Sequence, residues 1–473
     1  MRTDAFELDL ERIEGILPRY AIDGPRYTSY PTAPVWKQTY GIEQFKTDLA
    51  GQGARGPDSD SEPGGLSLYV HVPFCESLCH FCACNKIITT NAELPARYLD
   101  VIEREIAAVR EAAGPRTATQ QHWGGGTPTY LTPDQIVRLY RAVTDAFGMR
   151  QGAEVSIEVD PRVTTDEHIA ALKECGFNRI SMGVQDFDPR VQEAIHRIQP
   201  ADQTQHLTEL ARSSGFEGVN FDLIYGLPYQ TEETFARTLD SVLEIAPDRL
   251  ALYSYAHVTW VAKQQRGFER KDLPGPHEKM RILLSAIERF LDAGYLFIGL
   301  DHFARPEDEL SRALVDRTLR RNFMGHTTQA GVDLIGFGPS AISELHSSYA
   351  QSHRDLPGWE RAVADGGLAT MRGHRLSRDD LERRWVIGRI MCHGELPAAD
   401  YEAEFDGCFA SRFATELARL DPLVADGLVE RADDGSLVVT PLGRLLVRNV
   451  AMVFDAYLAD QRKSTTPMFS NTI

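Results

Sequence analysis

The sequence predicts an α/β protein: a partial (β/α)6, TIM-like barrel with an N-terminal extension and a C-terminal helical, winged-helix-like domain. Three observations carry that expectation. Apolar, β-branched runs alternate with helix-periodic stretches from residue 66 onward, the pattern of βαβ units on a parallel sheet. Roughly six such units fit between 66 and 303, whereas a complete eight-unit barrel takes about 250 residues. Beyond about residue 375 the texture changes to a capped amphipathic helix and a short hairpin.

Taken in order, residues 1–65 form the extension. Pro25-Arg-Tyr-Thr-Ser-Tyr-Pro-Thr-Ala33 cannot be a helix interior, and the Gly/Pro/Ser-rich stretch 51–65 reads as a flexible exposed loop. Strand-like runs follow at Leu66–Val72, Gln120–Trp123, Glu154–Val159, Arg179–Val184, Gly218–Tyr225, Arg249–Tyr255 and Tyr295–Phe303. Helical periodicity fills 95–113, 133–147, 165–175, 202–214, 231–245 and 276–293. These elements place a catalytic domain at 66–375. A last domain, 376–473, opens at Leu376-Ser-Arg-Asp-Asp, shows a hairpin after Gly427 and resumes a helix from Pro441.

Composition narrows the function classes. Lys and Arg number 50 against 68 Asp and Glu, and the net charge of −18 repels nucleic-acid phosphates. No run of about 18 apolar residues is present, so no membrane span is expected. The first residues lack a signal-peptide apolar region, and the expected location is the cytoplasm.

Four of the seven cysteines crowd into one segment, Tyr69-Val-His-Val-Pro-Phe-Cys75-Glu-Ser-Leu-Cys79-His-Phe-Cys82-Ala-Cys84-Asn. In a reducing compartment such crowding points to metal; Cys175, Cys392 and Cys408 read as buried small hydrophobes. The spacing C-x3-C-x2-C offers three thiolates, one fewer than a four-iron cluster with every iron protein-bound requires. The fourth iron is then open to a small chelator, a position the amino and carboxylate groups of S-adenosylmethionine can take. A zinc site wants a fourth ligand, which Cys84 or His80 supplies only with strained geometry, and a redox Cys79/Cys82 pair lacks a thioredoxin-like setting.

This segment resembles the radical S-adenosylmethionine superfamily, and within it the family of oxygen-independent coproporphyrinogen III oxidases (dehydrogenases). The likeness extends through His122-Trp-Gly-Gly-Gly-Thr-Pro-Thr-Tyr-Leu131, Ser156-Ile-Glu-Val-Asp-Pro-Arg162, Arg179-Ile-Ser-Met-Gly-Val-Gln-Asp-Phe187 and Asp222-Leu-Ile-Tyr-Gly-Leu-Pro228. It continues at Tyr255-Ala-His257, Phe297-Ile-Gly-Leu-Asp-His-Phe-Ala-Arg-Pro306 and Gly336…Ser340-Ala-Ile-Ser343. Ala83, where the family usually has glycine, is a departure.

The resemblance implies a barrel of the radical S-adenosylmethionine type, one [4Fe-4S] cluster on Cys75, Cys79 and Cys82, and two S-adenosylmethionine molecules. It assigns Tyr69, Gly125, Glu158 and Ile342 to the cluster-bound molecule. To the second it assigns Phe81, Gly126, Thr127, Gln185, Arg197, Asp222 and Ala256. Residue chemistry agrees: side-chain-free glycines let backbone approach a ligand, carboxylates suit an ammonium or ribose hydroxyls, and Arg197 could grip a carboxylate bidentately. Arg197 on a solvated helix face is the competing reading. Cys84 and His71 are the further candidate catalytic residues, with His71 equally readable as a structural strand-end histidine.

The implied substrate is coproporphyrinogen III, two of whose propionates would become vinyl groups in oxygen-free haem biosynthesis. Arg26, Arg305 and Arg321 are candidate propionate cations. The implied electron source is a reduced carrier such as flavodoxin or ferredoxin, and the implied state a monomer. Two other readings stay open: a radical methyltransferase or cyclopropanase with another substrate, and a haem-binding chaperone on the same scaffold. The chaperone group generally lacks the Pro25–Ala33 stretch and the Cys84 position, both present here.

Overall fold

The computed structural model describes residues 10–51, 65–259, 262–461, 468–470 and 472. The expected loop at 51–65 therefore lies, apart from its two end residues, outside the described residues. The chain falls into two compact units. One comprises Trp36–Pro274 and Gln329–Arg375, the other Met1–Val35, Gly275–Thr328 and Leu376–Ile473. This division is discontinuous in sequence, unlike the three consecutive segments expected.

The first unit holds the barrel strands. They are β1 (Gly65–Val72), β2 (Thr117–Gly125), β3 (Met149–Val159), β4 (Arg179–Gln185), β5 (Gly218–Tyr225) and β6 (Arg249–Ser254). Each pairs in parallel with the next, the six-strand arrangement that the alternation predicts. The crossovers carry α1 (Glu93–Ala113), α2 (Pro133–Phe147), α3 (Asp166–Cys175), α4 (Ala201–Ser213) and α5 (Glu232–Ile245). Strand β1 shows why the runs read so clearly. Leu66, Leu68, Val70 and Val72 are wholly buried on one face, while Ser67, Tyr69 and His71 alternate onto the other. Helix starts are equally local: Thr132 and Gln135 close a capping box at α2, with Pro133 in its first turn.

Beyond β1 the sheet continues in a way the alternation does not foretell. β7 (Asp333–Phe337) pairs in parallel with β1. β8 (Ile342–Leu345), β9 (Ser348–Ser352) and β10 (Thr370–Arg375) then follow antiparallel. Arg116, just before β2, fixes this edge: its guanidinium lies 2.7 Å from the buried Asp333 carboxylate and donates to the Gly65 carbonyl at 3.0 Å.

In the second unit the Tyr295–Phe303 run is not one continuous strand. It forms two short antiparallel strands, Leu296–Gly299 and His302–Ala304, because Gly299 and Leu300 take positive φ and turn the chain back. α6 (Pro276–Asp292) precedes them. α7 (Arg378–His393) starts at the Ser377/Asp380 capping box, and the expected hairpin pairs Val429–Arg431 with Leu437–Val439. Phe409, Phe413, Leu428 and Phe454 pack around Ile387 and Ile390 of α7. The helix from Pro441 is broken into Pro441–Leu445 and Val447–Ala451. Of the scattered cysteines, Cys175 and Cys392 are buried as expected, but Cys408 is exposed where it opens the short helix Phe409–Arg412.

Replacing Arg116 with Met would strip the cation from a buried carboxylate. The expected loss is about 3–5 kcal/mol of unfolding free energy, measured by urea denaturation at constant m-value.

Candidate active site

The site grows from the C-terminal end of β1. Past Val72 the chain runs through Pro73 and Phe74 to Cys75, and the loop from Cys75 to Cys84 follows. The end of β2 is pinned against this exit: Gly126 N–H donates to the Val72 carbonyl and Thr127 N–H to the Phe74 carbonyl, both at 2.8 Å. Only glycine tolerates that approach. A Cβ on Gly126 would stand 2.7 Å from two backbone oxygens, and Gly125 has φ 117°.

The Cys75, Cys79 and Cys82 thiols line one cavity of about 350 Å³, within the usual range for small-molecule sites. Cys75 Sγ lies 3.5 Å from the Thr127 hydroxyl; Cys79 Sγ accepts from Arg162 at 3.4 Å and Arg197 at 3.7 Å. The Cys82 carbonyl accepts from Gln264 and from Lys86, the latter at 3.0 Å. Cys84 reaches the same cavity. Its thiol hydrogen bond to Cys82 is the main reason the Cys82 thiol is drawn down to about 6, with Lys86 and Arg197 assisting against burial. Burial pushes the Cys75 thiol the other way, to about 11.

Two carboxylates from β3 and β5 also line the cavity. Glu158 accepts the Gly125 N–H at 3.2 Å and faces His122 Nε2 at 3.4 Å. Burial alone would raise its pKa, but the His122 contact and the Gly125 N–H hold it below the ordinary value. Nearly half of its side-chain surface, 45%, nevertheless opens to the cavity. Asp222 accepts from Ser181 at 3.1 Å and Asn220 at 3.0 Å. Burial, then the Glu158 charge, lifts its pKa to about 7.

The remaining residues expected at the site divide. Phe81, Gln185 and Arg197 line the cavity along with Gly125, Gly126 and Thr127. Tyr69, His71, Ala256 and Ile342 do not. His71 has neither ring nitrogen to spare: Nε2 lies 2.9 Å from the Asn85 carbonyl and so carries the proton, and Nδ1 accepts the Tyr69 hydroxyl at 3.0 Å. Burial lowers its pKa, keeping it neutral. It ties β1 to the cysteine loop, the arrangement of the structural strand-end histidine that was the alternative to a catalytic one. Ala256 is tied to the cysteine loop through Gln265, whose amide donates to the Ala256 carbonyl at 3.1 Å and to the Phe81 carbonyl at 2.8 Å. Ile342 lies on β8, its carbonyl against Gly336.

Arg197 also differs from expectation. It is 6% exposed, not on a solvated face, and its terminal nitrogens already bond Asp160 at 2.9 Å, the Gly183 carbonyl at 2.6 Å and Cys79 Sγ. A bidentate grip on a ligand carboxylate is not its arrangement. Of the arginines offered for propionates, Arg26 is ion-paired with Asp301, and Arg305 lies 4.3 Å over the Tyr295 ring.

Sequence reasoning missed His122, Asp160 and Arg162 as site residues, although all three stand in the motifs quoted above. Their signal was a polar side chain near the chosen positions: His122 three residues before Gly125 on β2, and Asp160 and Arg162 two and four residues after Glu158, just past β3.

The donor set fits an iron–sulfur cluster. Among the described residues no three Cys, His, Asp or Glu side chains already converge as a single ion would need. Thiols spread around one cavity suit a larger multi-iron group. Arg197 Nε is buried on the cavity wall with no hydrogen-bond partner among the described residues, a donor left for whatever fills the space.

Comparison with known proteins adds the following. Residues 69–242 match the radical SAM superfamily, and residues 376–446 the HemN C-terminal domain. An oxygen-independent coproporphyrinogen III oxidase of Escherichia coli K12 is 44% identical over 458 residues, 97% of this chain and 98% of that protein. One from Synechocystis is 43% identical over 464 residues, 97% of each chain. The solved structure of the Escherichia coli coproporphyrinogen III oxidase, described as a radical SAM enzyme, superposes with a TM-score of 0.87 at 44% identity. That match spans 92% of this chain and 100% of the other.

Asp222 supplies a pH test. Its unfolded-state pKa is about 4, and its folded value about 7, so between them the folded protein holds a proton the unfolded chain has lost. Stability relative to Asp222→Asn therefore falls as pH rises from about 4 to about 7, then stays level. Urea denaturation of the metal-free pair at pH 5 and pH 8 should show the Asn variant gaining ground at pH 8.

Proposed function

The chain belongs to the oxygen-independent coproporphyrinogen III oxidases of the radical S-adenosylmethionine superfamily, and from that membership we propose its reaction. It decarboxylates two propionates of coproporphyrinogen III to vinyl groups, yielding protoporphyrinogen IX for haem without oxygen. The observation that carries this reading is the trio of Cys75, Cys79 and Cys82 on one cavity beside the bare backbone of Gly125 and Gly126.

Cys75, Cys79 and Cys82 would hold a [4Fe-4S] cluster, which would supply the electron for cleaving S-adenosylmethionine and so the radical chemistry that removes a propionate β-hydrogen, with loss of carbon dioxide and one electron. The chain's own residues bind and orient. Glu158, ionised and open to the cavity, takes the methionyl ammonium, with Gly125, Tyr69 and Ile342 completing that contact. A second S-adenosylmethionine lies along Phe81, Gly126, Thr127, Gln185, Arg197, Asp222 and Ala256. In support, Asp222 faces the same cavity and keeps a proton near neutral pH, suited to ribose hydroxyls. Arg197 meets that molecule through Nε, its other nitrogens being engaged. Cys84 stays a thiol beside Cys82 and not a ligand.

The electron source is a reduced carrier such as flavodoxin or ferredoxin, and the protein works as a monomer in the cytoplasm. Among the described residues no helix is long and apolar enough to cross a membrane.

Reconstituted anaerobically with S-adenosylmethionine, a reductant and coproporphyrinogen III, the protein should yield protoporphyrinogen IX, read by chromatography of the oxidised porphyrins. Formation of 5′-deoxyadenosine without loss of carbon dioxide from the porphyrinogen would refute the substrate and leave the radical chemistry standing. Cys79→Ser should hold fewer than four irons per chain; full iron content in that variant would refute the ligand assignment.

A further inference from the structure

Beyond the cavity wall, Cys79 differs from its companions in what touches its sulfur. Cys75 meets a neutral hydroxyl, but Cys79 accepts from two guanidinium groups, Arg162 at 3.4 Å and Arg197 at 3.7 Å. Both are held by one carboxylate. Asp160 Oδ2 accepts from Arg162 Nη2 at 2.7 Å and from Arg197 Nη1 at 2.9 Å. Its Oδ1 accepts from the Arg162 backbone N–H and Nε, each at 3.0 Å.

The placement follows from local structure. Asp160 stands just past β3, where its carbonyl closes a turn by accepting from Val163 N–H and Thr164 N–H at 3.1 Å. Arg162 must therefore fold back over its own turn to reach Cys79. Cys79, Asp160 and Arg197 are each at most 7% exposed, so these contacts act in a low-dielectric setting. Two guanidiniums against one carboxylate leave one positive charge, the counterpart of a single Cys79 thiolate. A solvated arginine would gain nothing from this. A half-buried one held in a two-toothed grip is oriented at a cost the sulfur contact offsets.

We propose that Arg162, oriented by Asp160, is a positioning residue that donates to the Cys79 thiolate and raises the reduction potential of the cluster. The inference rests on the reading of Cys79 as a cluster ligand. A cationic donor at a ligand sulfur stabilises the reduced cluster, which carries one more negative charge, more than the oxidised one. Arg162 thereby eases delivery of the first electron without touching S-adenosylmethionine or substrate.

The test is an EPR-monitored redox titration of the full chain, reconstituted anaerobically, without S-adenosylmethionine. Arg162→Gln should keep four irons per chain and shift the midpoint potential negative of wild type. Arg162→Lys should shift it less, since one ammonium cannot hold Asp160 and reach the sulfur together. A wild-type potential in Arg162→Gln at full iron content overturns the proposal. Should that variant hold fewer irons, Arg162→Lys decides: a negative shift supports the proposal and a wild-type potential overturns it. Wild-type protein that binds no four-iron cluster would instead refute the ligand reading.

Discussion

Everything at the site depends on how closely the end of β2 approaches the exit of β1. Two backbone hydrogen bonds, from Gly126 and Thr127 to Val72 and Phe74, lock the start of the cysteine loop against the Gly124–Gly126 ridge. A side chain on Gly126 would meet the Pro73 and Phe74 carbonyl oxygens at 2.7 Å, and one on Gly124 would meet the Glu158 carboxylate at 2.9 Å. The approach thus sets two things together: where the first thiol stands, and how near the Glu158 oxygens come to exposed backbone N–H. Parallel pairing of β1, β2 and β3 in consecutive order delivers all these groups to one end of the sheet.

Charge is laid out across the cavity with similar economy. The cations Arg162, Arg197 and Lys86 gather by the cysteine loop, and Lys86 and Arg197 help draw the Cys82 thiol down. The carboxylates Glu158 and Asp222 line the same cavity. Their two environments push them apart: His122 and a backbone N–H keep Glu158 ionised, while burial beside that same charge leaves Asp222 titrating near neutrality. Groups drawn from β3 and β5 thereby offer an anionic contact and a protonated one within a single space.

Much of this was legible along the chain. Alternation of wholly buried residues with Tyr69 and His71 in β1 revealed a strand with one face in the core, and the C-x3-C-x2-C spacing lies within one loop. Most residues singled out from motifs came together on the cavity, Gly125, Glu158 and Gln185 because they sit at or next to strand ends. Other parts were not legible. Whether Arg197 points at solvent, ligand or Cys79 depends on Asp160, 37 positions away. His71 could not be told from a donor until Asn85 and Tyr69 were seen to occupy its nitrogens. The Tyr295–Phe303 run has strand composition throughout, and only the positive φ of Gly299 and Leu300 folds it into a pair.

By itself, then, the sequence determined the α/β class, the order of the barrel strands, the cysteine trio and the glycine ridge. Those are local properties: side-chain period, thiol spacing and freedom from a Cβ act within a few residues. Tertiary structure decided the discontinuous units, the extra β7–β10 edge, the protonation of Asp222 and the partners of Arg197 and Cys79. These turn on burial and on contacts between strands distant in the chain, and the energy of a charge or a hydrogen bond depends on what is brought beside it.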